Sequence, residues 1–598
     1  MSEDENKKVP GLWSRLDTFQ RIKLIMWAVV AVVLIICAIS IIHNIRKMHK
    51  MGWSFKKNDT EIEITEPEYA EAMLSWKSLD YETAEAKFVK TLESVEAKSG
   101  KASIESAAVS RMLGTMYLEE GKFDEAYERL NSAYVTLKKE LGEKDGNTVL
   151  AKGQIAIYDI KTGNVERGFS TLNSLYDEAA YVGYKLQICQ MLAQCNTSLG
   201  NYKKAAEWYD ILGELYYQFD IMNTTRVNLI NDYGSLMMTV GKYQEAVQSY
   251  LSAISVWNAL GLEEDSIVAN VYSNLAQAYA WTGQRDAAIE NGEKALDIQK
   301  RLFGENNIYV AMSYNSLADM YDALDDAETR KLYLDKALDT ALDSVGKNHM
   351  GTAVIYRSLG DYHKSQGDME KAVECHTEAL EIRKNILGLN NVNTITIYES
   401  LADDYREMEK YDLGVESADA AVKIAEQMYG KENLYSAHSF ITAAWLYADA
   451  GKADEAAWYA RTALEICDRQ KDNAGSLRPY SYQTRGYVYY MNAEYDNAVK
   501  YLTKAITLYE GEIGDNSAGC AKASALLGSA YLHLKDYENS FKALYNAQEY
   551  RKQFAGQSKN DEEGLNDRFH ALYDAANDDN SLDFEGWMEK SVSTLIKE

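Results

Sequence analysis

A spacing of 42 residues, held from Ala253 to Ala547, constrains this chain more than any other feature. At that spacing an alanine returns at Ala253, Ala295, Ala337, Ala379, Ala421, Ala463, Ala505 and Ala547. A second column carries a ring, at Tyr279, Tyr321, His363, Tyr405, Tyr447, Tyr489 and Tyr531. A third carries a small residue, at Gly234, Ala276, Ala318, Gly360, Ala402, Ala444, Gly486 and Gly528. Gly304, Gly346, Gly388 and Gly430 form a fourth. Columns that stay in register this long mark a repeat array.

One unit shows the physics. Ile267, Val268, Val271, Tyr272, Leu275 and Tyr279 lie at helical spacing, as do Ala287, Ala288, Ile289, Ala295, Leu296 and Ile298. Gly283 separates the two stripes, and Gly304 ends the second where a left-handed residue is wanted. The small residue and the alanine let two helices approach, and the ring fills the space beside them. The pattern predicts an all-α array of about twelve helical hairpins. Each stacked pair should bury its own contact, with coupling confined to nearest neighbours. Only 3 prolines in 598 residues suit a nearly continuous run of helices, and 44 tyrosines suit ring columns that join them.

The columns resemble those of the tetratricopeptide repeat. Leu275-Ala276-x-x-Tyr279, Leu359-Gly360-x-x-His363 and Leu527-Gly528-x-x-Tyr531 are similar to its first-helix motif. Gly121-Lys122-Phe123-x-x-Ala126, Gly241-Lys242-Tyr243-x-x-Ala246 and Gly451-Lys452-Ala453-x-x-Ala456 are similar to its turn and second helix. The long period, the loop Val345-Gly346-Lys347-Asn348-His349 and the run Ala379 to Lys384 resemble repeats of the kinesin-light-chain type. The resemblance implies a right-handed α-solenoid over 66–550, capped by helices within 551–598. It also implies a capping role for His349. The chain lacks the heptad coiled coil that precedes the repeats in that family, so motor-cargo function is not carried over.

Ahead of the repeats stand a polar tail (1–23), an apolar run (24–42) and a basic connector (43–65). Leu24 to Ile42 holds no charge, and its 19 residues make a helix of about 28 Å, close to the thickness of a bilayer's hydrocarbon core. The run is too long for a signal peptide, and no small-x-small cleavage site follows it. A retained single-pass transmembrane helix is predicted. Arg46, Lys47, Lys50, Lys56 and Lys57 follow the span and Arg15, Arg21 and Lys23 precede it, a bias that puts the repeats on the cytoplasmic side. Adding Lys7 and Lys8 evens the two sides, so the bias rests on the nearest residues. The scattered cysteines, an odd number of them outside the span, suggest neither a disulfide framework nor a zinc cluster.

Residues 1–57 carry a net charge of +6 and the remainder −34. The basic collar suits an anionic membrane surface. The acidic array argues against nucleic acid, whose phosphates need a basic face. No phosphate loop, zincin helix, calcium loop or nucleophile elbow occurs. Adjacent Cys375 and His376 would point about 100° apart on a helix and form no nucleophile–base pair directly. No enzyme, metal or cofactor is expected.

Binding remains. In tetratricopeptide arrays the first helix of each hairpin lines a concave groove, and the resemblance implies that the residue after the small column faces inward. That column includes Gln277, Asp319, Asp361, Asp403, Trp445 and Tyr487; one turn earlier stand Asn231, Asn315 and Arg357. Amides can bond a peptide backbone, aspartates can pair Lys or Arg, and rings can take a side chain. The expectation is a membrane-anchored scaffold that binds an extended protein segment with basic and aromatic or apolar residues. The alternative is an envelope-assembly protein that self-associates through its convex face.

Overall fold

The computed structural model describes residues 62–179, 181–512, 517–553, 559–576 and 582–597. The apolar run 24–42 and its flanks lie outside them. Among the described residues no helix is long and apolar enough to cross a membrane.

The described residues form 26 helices and no strand. Twelve hairpins run from Pro67–Lys77 with Tyr81–Ser99 to Ser517–His533 with Tyr537–Gln553; Lys559–Ala576 and Phe584–Lys597 follow. The alanine column is the closest packed feature, with all eight members at 3% exposure or less. The small column explains itself sterically. A Cβ on Gly360 would lie 2.4 Å from the His376 ring, and one on Gly528 2.6 Å from Leu544.

The glycines behave in two ways. The turn inside each hairpin needs positive φ, supplied by Gly283, Gly367 and Gly451 but also by Asp325, Glu409, Ala493 and Lys535 at the same position. Gly304 departs from the expected left-handed cap. Its φ of 80 comes with ψ 166, an extended conformation essentially restricted to glycine. His349 caps as expected: its Nδ1 accepts the Gly351 amide at 3.0 Å.

One expectation fails. Hairpins do not meet only their neighbours, because the array curves until its second turn rests on its first. The second hairpin (Ile104–Glu120, Phe123–Leu141) meets the ninth (Val392–Glu407, Tyr411–Tyr429). The third (Gly146–Lys161, Val165–Glu178) meets the tenth (Leu434–Asp449, Ala453–Arg469). The fourth (Val182–Ser198, Tyr202–Gln218) meets the eleventh (Leu477–Met491, Tyr495–Glu512). One apolar cluster joins Ile160, Leu172 and Leu192 to Phe440, Ile441 and Val488. Another joins Phe88 and Leu130 to Met350 and Leu387. The core crosses the seam between turns.

Candidate functional site

The first helices of hairpins five to eleven carry the candidate groove residues, each on a rigid helix fixed by the buried small and alanine columns. Asn231, on Thr224–Thr239, accepts a 2.9 Å hydrogen bond from Asn274 of the next hairpin. Gln277, on Ser266–Trp281, is half-buried. One amide contact therefore joins the first helices of the fifth and sixth hairpins.

Asn315 and Asp319 share the helix Ile308–Ala323. Asn315 is buried; its Nδ2 approaches Asp319 at 3.5 Å, while its Oδ1 has no hydrogen-bond partner among the described residues. Asp319 is exposed, yet the protein around its carboxylate takes away part of its hydration. That desolvation pushes its pKa up to about 6, against the pull of Arg330 and Arg357. Asp319 thus holds an undercompensated charge.

Asp361 is better compensated. It faces Arg357 one turn earlier at 3.7 Å and the imidazole Nε2 of His376 at 3.4 Å. Burial alone would raise its pKa, but His376 and Arg357 outweigh burial and hold it below the usual carboxylate range. His376 is itself enclosed. Its Nδ1 sits 2.6 Å from Asp404, and both side chains are fully buried. Burial would lower the imidazole pKa, yet Asp361 and Asp404 raise it to about 9. Lys364 closes the cluster, 3.4 Å from Asp404 and 3.3 Å from Glu407.

Asp403, Trp445 and Tyr487 are brought into one network over three hairpins. Arg406 Nε lies 3.4 Å from Asp403, and Arg406 Nη1 donates to Asp449 at 3.4 Å. Asp449 accepts the Tyr487 hydroxyl. The Trp445 and Tyr487 rings stack at 3.9 Å and 17°, and the indole nitrogen donates to Thr484 at 2.9 Å. The two rings offer each other one face, which leaves only their outer faces open. Beside them opens a cavity of about 720 Å³, lined among others by Asp403, Arg406, Trp445, Tyr480, Gln483 and Arg568.

The sequence reading missed Arg406, Asp449, Tyr480 and the His376–Asp404 pair. Spacing could have found the first two, since Arg406 follows Asp403 by three residues and Asp449 follows Trp445 by four, both on the same helix face. The wall is therefore of mixed charge, because two of its three aspartates meet arginines of their own helix.

A family model for the tetratricopeptide repeat matches residues 267–329, 333–385 and 393–469. A second of the same description matches 484–553. No curated protein matches the chain. Among solved structures, it is similar to the nearly identical TPR-like repeats of a putative kinesin light chain from Podosopora anserina, with 20% identity and TM-score 0.31 over 35% of this chain and 99% of that one. It is also similar to BtubC (BKLC) from P. vanneervenii, with 23% identity and TM-score 0.29 over 42% and 92%. The apo form of RapI aligns at 15% identity and TM-score 0.37 over 48% and 98%.

Proposed function

We propose that this hairpin array, with tetratricopeptide repeats between residues 267 and 553, is a membrane-tethered scaffold that holds an extended segment of a protein partner in its concave groove. The observation that carries this reading is the cavity beside Asp403 and Trp445. Concave sites lined by rings, with a few polar groups converging on them, are where proteins place ligands. The groove of a right-handed solenoid extends from there along the first helices, through Asp361, Asp319 and Gln277 to Asn231.

The electrostatics favour a cationic side chain at Asp319. Its carboxylate is the least compensated on the wall. A lysine or arginine in the ligand relieves that charge, and an apolar or aromatic neighbour meets the outer faces of Trp445 and Tyr487. The 19-residue apolar run Leu24 to Ile42 supplies the tether, and the basic residues after it keep the repeats on the cytoplasmic side. The scaffold gathers partners at the bilayer without acting on them chemically.

The test is partner capture by crosslinking from both faces of the membrane. A chain carrying Asp319→Asn, Asp403→Asn and Trp445→Ala should keep its helical circular dichroism and lose captured partners. Capture equal to wild type in identity and yield refutes the groove as the binding surface.

A further inference from the structure

Beside the shared apolar core, the seam between turns carries a repeated polar device. At the start of a first helix, an asparagine side chain has two ends with separate tasks. Asn391 Oδ1 accepts the Asn393 amide at 2.9 Å, capping its own helix, while its Nδ2 donates to the Glu120 carbonyl at 2.7 Å. Asn433 repeats the arrangement one hairpin later: Oδ1 accepts from Tyr435 at 3.0 Å, and Nδ2 donates to the Lys161 carbonyl at 3.2 Å as well as to the Tyr429 carbonyl of the preceding helix at 3.0 Å. Glu120 and Lys161 end the first helices of the second and third hairpins, so these carbonyls are among those a helix leaves unsatisfied. At the next step the Ser476 amide donates to the Gly200 carbonyl at 3.1 Å, and Asn201 donates to the Asn473 carbonyl at 3.0 Å. Both asparagines are buried, at 2% and 1% exposure.

The same helices carry the groove wall. Asn391 caps Val392–Glu407, which bears Asp403 and Arg406, and Asn433 caps Leu434–Asp449, which bears Trp445 and Asp449. A rigid helix cannot change its tilt at the capped end without moving the other. The Asp403–Arg406–Asp449–Tyr487 network spans three such helices, and its 3.4 Å contacts depend on their relative tilt.

We propose that Asn391 and Asn433 are a paired latch that closes the second turn of the solenoid onto the first and thereby sets the alignment of the groove wall. In the latched state each asparagine satisfies one helix start and one helix end at once. Unlatching keeps both hairpins folded but frees first helices nine and ten to tilt, separating the groove groups they bear. Groove and seam are then coupled in both directions, so a groove ligand that prefers the aligned wall also tightens the latch.

A crosslink reads the seam directly. A Cβ on Gly200 would lie 3.5 Å from the Ser476 Cβ, within disulfide range. A full-length Gly200→Cys, Ser476→Cys chain should form an intramolecular disulfide on mild oxidation, seen as a mobility shift absent from either single variant. Adding Asn391→Ser and Asn433→Ser keeps an oxygen to cap each helix but removes its donor to the preceding turn, and Asn393→Ala removes the further donor to the Glu119 and Glu120 carbonyls. Disulfide formation should then slow by about tenfold or more, the loss expected for two or more hydrogen bonds, and small-angle scattering should give a larger radius of gyration. Asn391→Asp with Asn433→Asp, which also caps but turns a carboxylate towards each carbonyl, should open the seam further. Unchanged crosslinking and radius in both variants overturn the proposal. Loss of helicity in both overturns it equally, because the asparagines would then support their own hairpins rather than clasp two turns. None of these readouts needs a groove ligand, so they stand apart from the partner-capture test.

Discussion

His376 and Asp404 occupy columns that other hairpins fill with apolar residues. The position of His376 is Leu334 one repeat earlier and Leu502 three repeats later, while that of Asp404 is Leu446 one repeat later and Met320 two earlier. Both side chains have 0% exposure, and their contact is 2.6 Å. Removing one partner of such a pair strands the other charge in the core and costs about 3–5 kcal/mol. Replacing both with apolar residues of similar volume is about neutral, or stabilising by up to about 4 kcal/mol. His376→Leu alone should therefore be severely destabilising, although Lys364 at 3.4 Å softens the loss. Asp404→Leu alone should cost less, because Asp361 still faces the imidazole at 3.4 Å, and the double variant should recover most of the stability. The pH dependence gives a second handle. The folded pKa of His376 is raised from 6.5 to about 9, so its contribution is fully present below 6.5 and lost as pH climbs through 9. That rise corresponds to roughly 3 kcal/mol. Urea midpoints of the four chains between pH 6 and 10, with hydrogen exchange over residues 350–407, make the assay. The reasoning fails if His376→Leu costs under about 1 kcal/mol, or if the double variant is no better than the worse single one. It fails equally if the wild-type midpoint is flat across that range.

Asp319→Asn should raise stability above pH 6 and leave it unchanged below pH 4, because an acid lifted from 3.8 to about 6 destabilises the fold only where it must ionise; denaturation midpoints at the two pH values decide it. Ala379→Trp should overpack a fully buried position at a cost of about 1–3 kcal/mol. Its hairpin also supplies Met350 and Leu387 to the first-turn cluster, so exchange should quicken around Phe88 and Leu130 as well as in adjoining hairpins; damage confined to sequence neighbours would contradict the shared core. A reporter that works only outside the cytoplasm, fused after Glu598, should stay silent, and its activity would reverse the proposed orientation.

The hairpins were legible because their causes are local. A helix stripe, a small residue at a close approach and a turn with positive φ each act within a few residues, and the 42-residue spacing repeats them. The buried alanine column and the His349 cap follow directly. Gly304 was half legible: the sequence demanded positive φ, but ψ depends on how the next hairpin is hung. The groove wall was legible as a set of positions and less so as a field. Column reading places Asp361 and Asp403 in line but does not reveal that Arg357 and Arg406 meet them from their own helices, or that His376 reaches Asp361 from the core.

The seam escaped for a different reason. Small rotations between successive hairpins accumulate, and only their sum over seven hairpins decides whether the second turn lands on the first or passes clear of it. No single column encodes that sum. What the sequence does hold is the chemistry that exploits the landing. Asn391 and Asn433 read locally as helix caps, a task that aspartate performs as well at Asp145 and Asp265 in the first turn. Aspartate has no proton to give to a facing carbonyl, whereas asparagine caps with one atom and donates with the other. Where turn meets turn, at Glu120 and Lys161, the cap is asparagine. Asparagine also caps at Asn223 and Asn307 in the first turn, so it is the partner some 270 residues away, and not the residue type alone, that sets Asn391 and Asn433 apart.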